Sequence, residues 1–201
     1  TAVYEIQSAV DMMHLNAPAA VRQEVVSQEV RVLLAQGQLD MAEARLKPFG
    51  FSFQETVSVP PQVSGRVYNN SAEHLYNNAL RLLLLRGDVK ALKQGLELAD
   101  RLITEAQKNG HVPHLIERYL IRAQLHDALN QSSASFDDVV SALVLAEPEG
   151  YISTFVEQGD LIASVLTALL GRKQSGSVLP DYIRKILSAF PQSAPLVSEP
   201  T

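Results

Sequence analysis

"LRLLLLRGDVKALKQGLELADRLITEAQKNGHVPHLIERYLIRAQLHDAL", residues 80–129, holds three apolar runs and two stops. From Leu92 the apolar positions fall at Leu92, Leu96, Ala99, Ile103 and Ala106, the spacing of one face of an amphipathic helix. Gly110 sits where that helix should end, and Pro113 suits the first turn of the next. The third run carries Leu115, Ile116, Tyr119, Leu120 and Ala123 on its packing side. The first begins further upstream, with Leu75, Ala79, Leu82 and Leu83, and stops at Arg86-Gly87-Asp88. Gly87 ends one helix and Asp88 caps the following one, so this Arg-Gly-Asp triplet is turn chemistry and not an adhesion signal. Long helices joined by such short turns imply antiparallel hairpins.

The same form lies upstream in "VVSQEVRVLLAQGQLDMAEARL", residues 25–46, with Gly37 at its turn. Downstream, Phe136, Val139, Val140 and Leu143 form one stripe. Leu161, Ile162, Val165, Leu166 and Leu169 form another after Asp160, a candidate N-cap. A short helix over Asp181 to Ala189 is expected to stop at Pro191. The total is about ten helices. "FGFSFQETVSV", residues 49–59, alternates weakly, runs into Pro60-Pro61 and is read as an extended loop between helix pairs.

Turns recur at Gly37, Gly87, Asn130 to Ser135 and Gly159 with unequal spacing, which makes a degenerate repeat. "GQLDMA" and "GDVKAL" resemble the turn and second helix of a tetratricopeptide repeat. Ala42, Ala79, Ala99 and Ala123 let neighbouring helices approach closely. Hairpins of this kind stack because none can bury its apolar face alone. The predicted fold is therefore all-α, a tetratricopeptide-like right-handed superhelix of antiparallel helix pairs with one concave surface. A compact helical bundle is the alternative. Residues 1–191 form this domain, and the Pro/Ser-rich residues 192–201 read as a linker.

The chemistry of the chain is sparse. With 46% hydrophobic and 19% charged residues it is globular, and a net charge of −5 offers no global attraction to nucleic acid or anionic lipid. Cysteine is absent, which removes disulfides, thiolate nucleophiles and Cys-based zinc sites and fits a cytoplasmic protein. The longest apolar run, "LRLLLL", is too short for a membrane span. There is no phosphate loop, no Gly-x-Gly-x-x-Gly after a strand and no Gly-x-Ser-x-Gly elbow, so no catalytic residue can be assigned. His111, His114 and Glu117 lie close in "HVPHLIE", but Pro113 breaks their register and solvated helix-start residues explain them more simply. Asn69-Asn70-Ser71 and Asn130-Gln131-Ser132 fit glycosylation sequons formally and read as polar loops. One constellation stands out. His114, Arg118, Arg122 and His126 fall at successive four-residue steps, and His74, Asn77, Asn78 and Arg81 form a second polar stripe. His74, Asn78, Arg81, His114, Arg118, Arg122 and His126 thus make a tentative effector groove on the concave face, offering donors to a carboxylate, a phosphate or a sugar. Solvated helix faces are the other reading of both stripes.

"ALVLAEPEGYISTFVEQG", residues 142–159, closely resembles a segment of the MalT-like, large ATP-binding regulators of the LuxR family. "RVLLAQGQLDMAEARL" at 31–46, residues 80–129 and "DYIRKILSAFP" at 181–191 agree with that family in content and order, so the resemblance spans roughly Val30 to Pro191. It implies the tetratricopeptide-like region between a nucleotide-binding switch and a helix-turn-helix. That region is expected to be non-catalytic, to receive a small-molecule or protein effector in a concave groove, and to relay it to neighbouring domains. ATP is expected only in an N-terminal module. No cofactor, direct nucleic-acid contact or membrane contact is expected of these residues, while self-association through the solenoid ends stays open. The linker would lead toward a DNA-binding module. A free-standing tetratricopeptide adaptor that binds a partner peptide is the alternative function. The family motif maps onto Pro148, Gly150, Tyr151, Phe155 and Gly159, all read as structural. Pro148 should disfavour helical geometry at Glu147 and end the preceding helix there, Gly150 should permit the reversal, and Tyr151 and Phe155 should pack on the preceding hairpin.

Overall fold

The computed structural model describes residues 17–60, 70–171 and 180–191. The expected linker at 192–201, the first 16 residues and Asn69 of the first sequon lie outside the described residues. Among those described there are nine α-helices: α1 (Ala19–Ala35), α2 (Leu39–Leu46), α3 (Asn70–Arg86), α4 (Val89–Asn109), α5 (Val112–Ala128), α6 (Ser132–Ala146), α7 (Ser153–Val156), α8 (Asp160–Gly171) and α9 (Pro180–Ser188). Helices α1/α2, α3/α4 and α5/α6 are successive hairpins, and α1 packs on α3 as α3 packs on α5. This is the tetratricopeptide-like all-α arrangement expected from the stripes. The four small residues Ala42, Ala79, Ala99 and Ala123 are fully buried at the crossings.

One closure recurs where helices stop. At Gly37 the amide donates to Leu34 O (3.0 Å) and the next amide to Leu33 O (2.9 Å). The same pair of bonds forms at Gly110, at Asn130 and at Gly150, each with positive φ. This is the Schellman arrangement, which satisfies carbonyls that the ending helix leaves open. At the 142–159 corner it corrects the expectation for Glu147. That residue keeps helical geometry (φ −58°, ψ −47°) and donates to Leu143 O. Pro148 removes a ladder donor, but the reversal itself occurs two residues later, at Gly150 (φ +69°). Asp88 caps α4 as expected, accepting from the Ala91 amide at 2.9 Å. Asp160 does not cap α8. Gly159 O accepts the Ala163 amide, so Asp160 lies inside the first turn, where its charge still favours the helix.

Residues 49–59 are not a plain loop. After a 3-10 turn, Lys47–Phe49, the strands β1 (Ser52–Phe53) and β2 (Val57–Ser58) pair antiparallel, with Ser52 opposite Ser58 and Phe53 opposite Val57. The weak alternation has a purpose, since Phe51, Phe53 and Val57 are all buried against α3 and its neighbours. Gln94 on α4 clamps the hairpin tip by donating to Gln54 O and Glu55 O.

Two large apolar cores result, with a small third group, Ile103, Ala106 and Leu115, between α4 and α5. One joins α1–α4 and the β-hairpin; the other joins α5–α9. Helix α5 belongs to both, with Ile121 and Leu125 in the first and Ile116, Leu120 and Ala123 in the second. Phe155 is fully buried in the second core, and the Tyr182 hydroxyl of α9 donates to Tyr151 O at 2.5 Å. Phe155→Ala should therefore lower the unfolding free energy by about 3–4 kcal/mol. Urea unfolding checks this, and a wild-type midpoint would remove the corner from the core.

Candidate functional site

Periodicity puts each polar stripe of α3 and α5 on one helix face, and the structure shows where each side chain ends. Arg118 is fully buried. Its Nε donates to Asn77 Oδ1 (3.1 Å), its Nη1 to Leu102 O (2.9 Å), and its Nη2 to Glu73. Asn78 is also buried, donating to Ser27 O (2.9 Å) and so tying α3 to α1. Arg81 pairs with Glu117 at 2.7 Å, and Asn77 donates to the other oxygen of that carboxylate. Arg122 grips Asp138 of α6 through two nitrogens and Asp100 of α4 through the third, with its guanidinium over the Tyr119 ring. His126 faces Gln131 Oε1 at 2.7 Å. The stripe is thus neither a solvated face nor a row of uncommitted groove donors along its whole length. Arg81, Arg118 and Arg122 are inter-helix ties.

His74 and His114 are placed differently. Their rings meet edge to face, 5.6 Å apart, on the floor of a cleft of about 440 Å³. Glu117 continues the floor, His111 stands at the start of α5, and Thr154 of α7 with Glu157, the residue that ends it, forms the opposite wall. Burial, with Arg118 close by, lowers the His114 pKa to about 4, so this imidazole is neutral at physiological pH. Burial pushes the Glu117 carboxyl up, but Arg81 and the hydrogen bonds from Arg81 and Asn77 outweigh it and hold the pKa below its ordinary value. Among the described residues no group of three His, Cys, Asp or Glu could hold a metal ion.

Sequence reasoning missed the acceptors Glu73, Glu117 and Asp138, and the wall formed by α7. A signal for the first existed. Glu73, Asn77 and Arg81 are themselves four apart, and so form a mixed-charge stripe that could answer the basic one on α5. Nothing local announces the wall, because α7 packs on α5 only after the chain has reversed at Gly150.

Stacked helix hairpins with alanine crossings, a shared central helix and a polar cleft on the first helices define a helical-repeat domain of the tetratricopeptide type. The family model for the MalT-like TPR region matches residues 6–172, and the chain belongs to that family. No curated protein and no solved structure matches it. A region of this type is typically a non-catalytic protein-interaction domain. Among the described residues no helix is long and apolar enough to cross a membrane.

Two outcomes follow from the buried charges. Arg118→Ala leaves Glu73 desolvated without its cation and should cost about 3–5 kcal/mol in chemical unfolding, with part recovered by adding Glu73→Gln. For His114 the folded pKa, about 4, lies below the ordinary 6.5, so the unfolded chain binds the extra proton between those values. Stability is then complete above pH 6.5 and falls as pH drops toward 4. Glu117, held low when folded, adds a loss at still lower pH. Melting midpoints across this range should rise with pH, and His114→Gln should flatten the upper part of the slope.

Proposed function

We propose that this chain is the effector-sensing and protein-interaction segment of a bacterial ATP-dependent LuxR-family transcriptional regulator, without catalysis of its own. The observation that supports it is membership of the MalT-like TPR region family over residues 6–172. In this reading an effector enters the cleft at His74 and His114, and the two ends of the array shift relative to each other about α5. Helix α5 suits the task because it joins both cores and carries the cleft floor and the buried ion pairs together. ATP would act in an N-terminal module and DNA would be held by a C-terminal one, in the cytoplasm, with no cofactor on this segment. Self-association through the array ends would be a further output.

A transcriptional reporter driven by the complete gene product tests the reading. His74→Trp should fill the cleft and abolish the effector response, while DNA binding by the effector-independent protein stays at wild-type level. An unaltered response would move the effector elsewhere. A gene encoding neither a nucleotide-binding module nor a helix-turn-helix would favour the free-standing peptide adaptor.

A further inference from the structure

The cleft has a charge character of its own. Its described lining includes two carboxylates, Glu117 and Glu157, three imidazoles, and neither lysine nor arginine. Glu117 is committed to Arg81 and Asn77. Glu157, on the rim, faces Arg31, which reaches over from α1. That pair is 3.6 Å long with side chains 44% and 54% exposed, the kind of ion pair that holds weakly. It nevertheless links the first helix of the array to the residue that ends the seventh, and Glu157 itself lines the same cleft as His74 and His114.

We propose that this cleft binds a small cationic ligand, an ammonium or guanidinium group on a short polar body, and that Arg31 is the built-in competitor for its place on Glu157. The assignment rests on the reading of the cleft as the effector site. An incoming cation exchanges for the Arg31 guanidinium, so the charge on Glu157 is never left bare. An anion finds neither lysine nor arginine on the lining, because the Arg81 and Arg31 guanidiniums are already engaged by Glu117 and Glu157. His114 adds no positive charge at neutral pH, since its pKa is near 4, and presents an edge-to-face imidazole pair with His74. A volume of about 440 Å³ suits a small molecule more than a folded partner. Binding also has a structural consequence. Displacing Arg31 breaks an ion pair between α1 and the residue that ends α7, so occupancy changes how the first hairpin is joined to the corner after α6.

The test is a titration of the full chain, followed by the ring signals of His74 and His114 in NMR spectra at neutral pH. The probes are agmatine, the neutral 1,4-butanediol and the anion glutarate. Agmatine should give saturable shifts, and the other two none. Arg31→Gln should tighten agmatine about threefold, and Glu157→Gln should weaken it by about fivefold or more. Both side chains are exposed enough that the variants should melt as wild type does, which separates binding from folding. If agmatine binds but neither substitution changes its affinity, the exchange on Glu157 is wrong. If glutarate or butanediol shifts these rings and agmatine does not, the cation assignment falls while the effector cleft stands. Silence of all three probes overturns the cation assignment and leaves the cleft without support as the effector site.

Discussion

Burying a guanidinium completely costs several kcal/mol unless its donors find acceptors, and Arg118 finds its acceptors on two other helices. Glu73 and Asn77 come from α3, and the Leu102 carbonyl comes from α4. Apolar faces alone would let these helices slide by part of a turn at small cost, because one leucine contact replaces another. A fork of fixed geometry does not permit that: any slip strands a charge in a place that water does not reach. The three-helix register of the middle of the array is therefore set by a polar interaction, and the hydrophobic cores fill in around it. The same device repeats outward, from Glu29–Arg45 between α1 and α2 to Arg122–Asp138 between α5 and α6.

The ties also explain why the cleft lies where it does. His114 is one turn before Arg118, and Glu117 is its neighbour in sequence. The groups that a ligand would touch are thus covalently continuous with those that fix helix register. A contact at the cleft does not need a long path through the protein to affect packing. It acts on α5, which both cores share, and α5 has little freedom to respond except as a unit.

Most of the fold was legible in the sequence, and the reason is periodicity. The stripes at Leu92–Ala106 and Leu115–Ala123 became the buried faces, with Leu96 and Tyr119 at their margins. Gly37, Gly87 and Gly110 became turns with positive φ. The candidate site was legible only in part. Periodicity reports that Arg118 and Arg122 share a face, but not whether that face meets water, a ligand or a carboxylate on another helix. The missing information was Glu73 and Asp138, 45 and 16 positions away. The β-hairpin escaped for a different reason. Strands of two residues carry too short an alternation to be told from a loop, and Phe51 and Phe53 show their role only when α3 and α4 are in place.

The corner at 142–159 combines the two kinds of information. Its stop is local: the lost donor at Pro148 and the reversal at Gly150 follow from the residues themselves. Its effect is not local. Because Tyr151 follows the reversal directly, its carbonyl is presented to the Tyr182 hydroxyl of α9, while Phe155 fills the core below and Thr154 and Glu157 face the cleft. A four-residue helix, too short to be stable alone, is fixed by burial on one side and forms the cleft wall on the other. Moving that wall must disturb either the Phe155 packing or the Tyr151–Tyr182 bond. The corner therefore connects whatever occupies the cleft to the position of the last described helix.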